Sequence, residues 1–521
     1  MKINYNRGLI RQIEELTVQS ERLEAENKRL RAENREIRAR LSYVESTLEA
    51  RIAAVVETAV RKATERLIDE LAVKNGLIAK MEDEINRLKA EINKDSGNSS
   101  KPPGQDGYKK ITNTREKSGR KSGGQPGHPG SCMELPKKLE ELVEKGQARL
   151  ETIDHTKGSA TYVSRHTLDI DVTLSVTEHR YEAGKVPATH RAPVIYGNNI
   201  KALVCLLSTE GFIAMERLSN FINEITYGAI NLSDATIENF IAGLSGNLDR
   251  EIEAIETDLL NGAVMHTDET PMDVAQKPDY SEETPVLRKS ENTSFTAYIR
   301  AHSNEHSTLY TVNPQKDAQG CERDGLLPRY IGILSHDHEA KFYKYGTAHA
   351  TCGAHLLREL KGLYELQKIP WADDMRQFIA NINRHKNNDL EAGRTQCAPE
   401  ILAYYEKGYD SLLASGRIEL AALKENEMGH DELRRMINRL TEYKDSYLLF
   451  IRDYRAPFTN NLAERDLRPD KTKQKVSGCF PSWHGFLHFA RIRSFFSTVK
   501  KRSGNLFQAA CSVLISSPVL Q

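Results

Sequence analysis

The chain lacks most of the features that commit a sequence to a compartment or a covalent staple. Its seven cysteines, at 132, 205, 321, 352, 397, 479 and 511, are odd in number and form no Cys-X-X-Cys pair. A disulfide framework is therefore excluded, and a reduced, intracellular protein is expected. The N-terminus, MKINYNRGLIRQIEE, has no apolar signal core. No apolar run approaches the roughly 18 residues of a membrane span, so a soluble, cytoplasmic protein with no membrane partner is expected. Net charge is missing too, because 73 Lys and Arg balance 73 Asp and Glu. Any surface for nucleic acid must then be a local concentration of charge. Hydrophobic residues make up 39% of 521, enough for two or more cores.

What is present begins with a heptad pattern. Leu9, Leu16, Leu23, Leu30, Ile37 and Val44 recur every seven residues, with Ile13, Ser20, Asn27, Asn34 and Leu41 at the companion a positions. A second run places Leu71, Ile78, Ile85 and Ile92 at a and Met81 and Leu88 at d, and the register blurs around 51–66. Asparagine at a favours a parallel dimer in one register. Residues 1–95 are therefore expected to form a parallel coiled coil that makes a homodimer, the alternative being a helix packed on the chain's own globular part. The rod stops at KDSGNSSKPPGQDG, where Gly, Ser and paired Pro end a helix. Residues 96–131 read as a basic linker that includes Lys109, Lys110, Arg120 and Lys121, suited to lie along phosphates or simply to be solvated.

Residues 132–195 mix helix-like and strand-like pieces, and TYVSRHTLDIDVTLSV alternates like a strand. Residues 196–258 read as helical. Within them, 218–244 have the outline of a helix, a Gly-containing turn and a second helix starting at Ser233. That outline fits either a DNA-reading helix-turn-helix or plain helical packing.

Short apolar runs then deliver acids. GAVMHTDETPMDV carries Asp268, FTAYIRAHS and STLYTVNP follow as strands, and YIGILSHD ends in Asp337. Three strands, a crossover and a fourth strand is the order of a ribonuclease-H-like fold, in which the first and fourth strands are neighbours. Asp268 and Asp337 would then sit together and share a divalent metal through hard oxygen ligands. A strand-terminal aspartate by itself is ordinarily a cap or turn residue. A third carboxylate is offered by Glu464 in FTNNLAERDLRPDKTKQKVSGCF, early in a helix for which Thr459 or Asn460 is the expected cap. Around it stand Arg465, Arg468, Lys471, Lys473 and Lys475, suited to phosphates. The bland alternative is a surface helix whose acid pairs with these neighbours. Residues 259–365 and 456–505 are expected to form the two parts of this core, 366–455 an all-helical insertion, and 506–521 a tail.

HTDET, SHDHEAKFYKYGTAHATCGAHLLREL and NNLAERDLRP together resemble the three catalytic blocks of the insertion-sequence-66 family of transposases, which are of the DDE type. GNSSKPPGQDG and GGQPGHPG resemble that family's linker. The resemblance covers about 95–505. It implies a bacterial, nucleoid-associated enzyme of the mobile element that cleaves the element's DNA ends and transfers strands to target DNA. Asp268, Asp337 and Glu464 would hold two Mg²⁺ or Mn²⁺ ions, His355 and Arg358 would neighbour the site, and small accessory proteins of the element are implied partners. Alternatives are an inactive DNA-binding regulator and a nuclease of the same fold without strand transfer. The family's zinc module has only Cys132 here, beside irregularly spaced His155, His166, His179 and His190, so zinc is not expected. His349, Cys352 and His355, spaced by three on an expected helix, read as part of the active-site block rather than as a zinc site.

Overall fold

A computed structural model of the chain describes residues 2–47, 50–93, 136, 138–157, 161–275, 295–425 and 427–516. The segment with Lys109, Lys110, Arg120 and Lys121 lies outside them. The chain divides into two units, one of Met1–Gly107, Val186–Ser219 and Leu232–Gln521, the other of Tyr108–Lys185 and Asn220–Asn231. No helix among the described residues is long and apolar enough to cross a membrane.

The heptads form two long helices, α1 (Lys2–Thr47) and α2 (Ala50–Asn93). Their apolar seam meets inside one chain. Asn27 Nδ2 donates to Asn75 Oδ1 at 3.4 Å, and Lys74 pairs with Glu26 at 2.5 Å. Thr17, Ser20, Glu21 and Glu24 of α1 border one crevice with Ile85, Asn86 and Lys89 of α2. Rising numbers on α1 thus meet falling numbers on α2, so the pair is antiparallel. This corrects the expected parallel coiled coil. Helices separated by so short a connection pack as antiparallel neighbours, and Asn27, read as a mark of register between copies, finds its partner on α2. The seam positions Leu30, Met81 and Leu88 are buried by this pairing.

In the smaller unit, α3 (Lys138–Glu144) is followed by irregular chain. The alternating stretch from Thr161 to Val176 forms no strand, and every residue in it is exposed. Alternation alone makes a strand only when a partner completes its ladder.

Next come α4 (Asn198–Thr209), α6 (Asp234–Gly246) and α7 (Asp249–Asn261) of the larger unit, with α5 (Met215–Ile225) divided between the two units at Asn220. Ser233 caps α6, its hydroxyl accepting from the Thr236 N–H. The join from Thr226 to Ser233 is longer than the three or four residues of a tight helix-turn-helix. Helix α6 buries Ile237, Phe240 and Leu244.

A five-stranded mixed sheet follows. Its strands are β1 (Val264–Val274), β2 (Phe295–Ser303), β3 (Thr308–Asn313), β4 (Ile333–His336) and β5 (Ala348–Thr351), in the order β3-β2-β1-β4-β5. The first three strands are antiparallel, and β4 and β5 run parallel to β1. Helix α8 (Ala318–Asp324) lies on the crossover from β3 to β4, capped by Asp317. Strand β5 places His349 in the sheet, opposite Leu334, and corrects the reading of 349–355 as continuous helix. Four residues of Ala-His-Ala-Thr carry little strand signal, and the ladder to β4 decides their state.

Five helices come next, α9 (Gly353–Gln367), α10 (Pro370–Glu391), α11 (Pro399–Ala422), α12 (His430–Glu442) and α13 (Lys444–Arg452). They share a core in which Trp371 is 1% exposed. The Trp371 Nε1–H donates to Leu412 O at 2.6 Å, and Gly416 lies so close that a β-carbon there would fall 2.7 Å from the indole. Trp371→Ala is expected to destabilise the fold by about 3–5 kcal/mol, read as a lower urea midpoint. A loss under 1 kcal/mol would show that these helices contribute little to global stability.

The chain returns to the sheet with α14 (Asn461–Ser477), α15 (Trp483–Lys501) and α16 (Leu506–Ser516). Helix α14 packs on β1 and β2, and α15 on β3. Leu467, Phe480, Trp483, Phe486 and Phe489 cover Met272 and Val274 of β1.

Candidate active site

Strand period and register bring the acids together. Side chains two apart share a sheet face, so Asp268 lies on the face of Met272 and Val274, the one covered by α14. In the β1–β4 ladder Val264, Met265 and His266 pair with Ile333, Leu334 and Ser335. The offset is 333 − 264 = 69 positions, and 268 + 69 is 337. Extended two positions beyond its last pair, the same offset points from Asp268 to Asp337, one residue past β4, and the Asp337 charge bears on the Asp268 carboxyl. Glu464 is in the first turn of α14, three residues before Leu467, a spacing that puts both on one side of the helix.

Asn460 fixes this arrangement. It is completely buried at the N-terminus of α14, yet its side chain caps nothing. Its amide crosses to β1, where Nδ2 donates to Thr267 O at 2.8 Å and Oδ1 lies 3.1 Å from His266 Nδ1. That contact requires His266 to donate from Nδ1. Burial holds His266 down to about 4, so its ring is neutral at pH 7. The Asn460 backbone N–H points at Cys352 Sγ at 3.3 Å. One residue thus ties together β1, the start of α9 and the start of α14. The expected capping role of Thr459 or Asn460 gives way because these cross-chain bonds compete for the amide.

The site is polar, half-buried and incompletely satisfied. Asp337 Oδ1, Glu464 Oε1, His355 Nδ1 and Arg358 Nε are all buried and have no hydrogen-bond partner among the described residues. His355 Nδ1 is 3.6 Å from Glu464 Oε1, and Cys352 joins them in a group whose ligand atoms all lie within 4.8 Å of one another. Burial holds the Asp268 carboxyl far above the ordinary carboxylate range, and the facing charges of Asp337 and Glu464 add to this, against the Glu269 N–H and Lys471. Asp337 is pushed up to about 6 by burial, with Glu339 adding repulsion. Burial and Arg358 push the His355 imidazole down.

Glu269, next to Asp268, faces the other way into a buried network. Arg300 donates to it from Nε and Nη2 at 3.1 and 2.8 Å and bonds Asp324 as well. Lys341 bonds both Glu269 and Glu339. This network anchors β1 directly beside the acid. Neither Asn460 nor the Arg300 network was read from the sequence. A polar pair before a helix signals a cap, and nothing in spacing shows which distant strand it binds.

The basic residues of α14 divide. Arg465, Arg468, Lys471 and Lys475 are exposed, with no carboxylate within ion-pair distance among the described residues. Lys473 is partly buried and lines a 480 Å³ cavity with Glu238 and His484. The helix's acids are spoken for elsewhere. Asp466 accepts from Ser303, Thr308 and Lys501 at 2.7, 2.8 and 2.7 Å, and Asp470 lies 3.5 Å from Arg493. Glu464 therefore does not pair with its basic neighbours. His349 turns away from Cys352 and His355, its Nδ1 lying 3.3 Å from His336 Nε2.

The mixed sheet thus brings an acid within β1, an acid one residue past the parallel β4 and a basic helix into one neighbourhood. Residues 193–486 match the family model described as Transposase IS66 family, and the chain belongs to that family. Membership implies a DNA-processing enzyme of transposition. Residues 55–134 match a family of unknown function, DUF6444. No curated protein and no solved structure matched the chain.

Proposed function

We propose that the chain is a DDE transposase with a ribonuclease-H-like core, cleaving the DNA ends of its element and joining them to target DNA. One observation supports this reading: the charges of Asp337 and Glu464 bear on the Asp268 carboxyl, and buried oxygens of Asp337 and Glu464 have no hydrogen-bond partner among the described residues. The strand order 3-2-1-4-5 supports the core assignment.

The donor set fits hard divalent cations such as Mg²⁺ or Mn²⁺. Three carboxylates in one half-buried site repel, and a cation relieves that repulsion. Asp268, Asp337 and Glu464 would hold the ions. Bound there, they would supply Lewis-acid activation of a water or DNA hydroxyl and of the phosphoryl group. The rest falls to the chain. His355, its Nδ1 3.6 Å from Glu464 Oε1, would help to orient that carboxylate. Asn460 keeps β1 and α14 in register. Arg465, Arg468, Lys471 and Lys475 would neutralise phosphates, which positions DNA without reading its sequence.

The test is a nicking assay on DNA bearing the flanking ends of the element, with Mg²⁺, Mn²⁺ or chelator. Metal-dependent nicks at the ends support the reading, and strand-transfer products separate a transposase from a nuclease. Binding without nicks in any metal, even with the neighbouring gene products added, would favour the regulator. The basic helix has its own signature. Arg468→Ala and Lys471→Ala should each flatten the log–log salt dependence of DNA binding by about one unit, equally for unrelated sequences. An unchanged slope would remove these residues from the DNA path.

A further inference from the structure

We propose that Cys352, His355 and Glu464 form a second metal site, selective for a thiophilic divalent ion such as zinc, which draws Glu464 away from Asp268 and Asp337. The binding stands on its own observations; only its effect on cleavage rests on the function proposed above.

The ligand types are those of a three-residue zinc site with an open fourth position. Cys352 sits at the N-cap of α9 and His355 three residues on, so both lie on one side of the first turn. Glu464 arrives from α14. A tetrahedral zinc ion needs donor atoms about 3.5 Å apart. His355 Nδ1 and Glu464 Oε1 are already 3.6 Å apart, and the sulfur is within 4.8 Å of both. Closing that gap takes about 1 Å of side-chain movement.

Both of those nitrogen and oxygen atoms are buried and have no hydrogen-bond partner among the described residues. Buried polar groups are nearly always satisfied, and a pair of orphans facing each other beside a thiol describes a ligand set. Burial holds the thiol up overall, against the N–H groups of Asn460, His355 and Ala354 that point at the sulfur, so it is the metal ion that would draw off the proton. Binding forms the metal–sulfur bond and releases the thiol proton to solvent.

The two neighbouring sets divide metals by hardness. Asp268 and Asp337 offer oxygen alone, the choice of Mg²⁺ and Mn²⁺, whereas sulfur and imidazole select zinc. Glu464 belongs to both, so occupancy of one set weakens the other. Zinc would then inhibit the magnesium-dependent reaction, reversibly by chelation. The spacing-based trio of His349, Cys352 and His355 missed this site, because β5 holds His349 and the fold supplies Glu464 in its place.

The test is titration of the full-length protein with Co²⁺ as a spectroscopic stand-in for zinc. A near-ultraviolet thiolate-to-cobalt band should grow to one equivalent and be displaced by zinc. Cys352→Ser should abolish it, and His355→Ala should weaken cobalt binding at least tenfold. Asp268→Asn should keep the band, which separates this site from the catalytic reading. Should Cys352→Ser not fold, alkylation of the wild type followed by peptide mass spectrometry replaces it, with zinc protecting Cys352 selectively. Absence of the band in wild type, its persistence in Cys352→Ser, or protection confined to other cysteines such as the exposed Cys479 would overturn the proposal.

Discussion

Changing Glu464 to glutamine is expected to leave DNA binding within a few-fold and to lower metal-dependent nicking roughly a thousandfold or more. The substitution keeps the side chain's size and its place on α14 and removes one of three carboxylates. Metal ions contribute several kcal/mol to such transition states, and each 1.36 kcal/mol is tenfold. The same loss is expected for Asp268→Asn, which carries a second signature. Burial and facing acids disfavour its ionised form, so its folded-state proton is held more tightly than the unfolded one. Its contribution to stability is complete below about pH 4 and declines as pH rises. Asp268→Asn should therefore melt higher than wild type at pH 7 in chelator, by about 1–2 kcal/mol, and the difference should shrink toward pH 4. A variant that melts lower at pH 7 would make Asp268 a structural acid. Nicking retained by either variant would remove the residue from the metal set.

Asn460→Ala carries the other large effect. It deletes both side-chain bonds to β1 and leaves the Thr267 carbonyl and the His266 N–H unpaired. Each stranded buried group costs about 1–3 kcal/mol, so a loss of about 2–4 kcal/mol is expected. Asn460→Asp keeps the shape, loses the donor to Thr267 and adds a fourth negative charge to the neighbourhood. A positioning role predicts weaker metal affinity in both variants, measured well below their melting temperatures, with DNA affinity of the outer basic face unchanged. If metal and DNA affinity instead track only the folded fraction, Asn460 is structural and nothing more.

The sequence displayed the acids more clearly than their surroundings. HTDET and YIGILSHD each show an apolar run ending in Asp, and a strand ladder converts that into proximity by a fixed offset. Glu464 stood out because its basic neighbours offered it partners, and in the fold it takes none of them. The long helices were legible from heptads, yet their pairing was not, because a/d patterning specifies a seam and leaves its occupant open. Alternation at 161–176 misled for a related reason, since period describes one strand and a sheet needs two. Asn460 and the Arg300 network were illegible because their bonds join residues far apart in the chain.

The separation of the three carboxylates also has a consequence in time. Asp268 and Asp337 leave the ribosome long before Glu464, with all of α9 to α13 translated between the second acid and the third. At about 5–20 residues per second, the interval between first and last is on the order of ten to forty seconds. In the part of that interval after β5 is made, the nascent chain carries all five strands without α14, and a product terminated before Glu464 would never acquire it. On the proposed mechanism, the order of the elements makes translation through α14 a condition for cutting DNA.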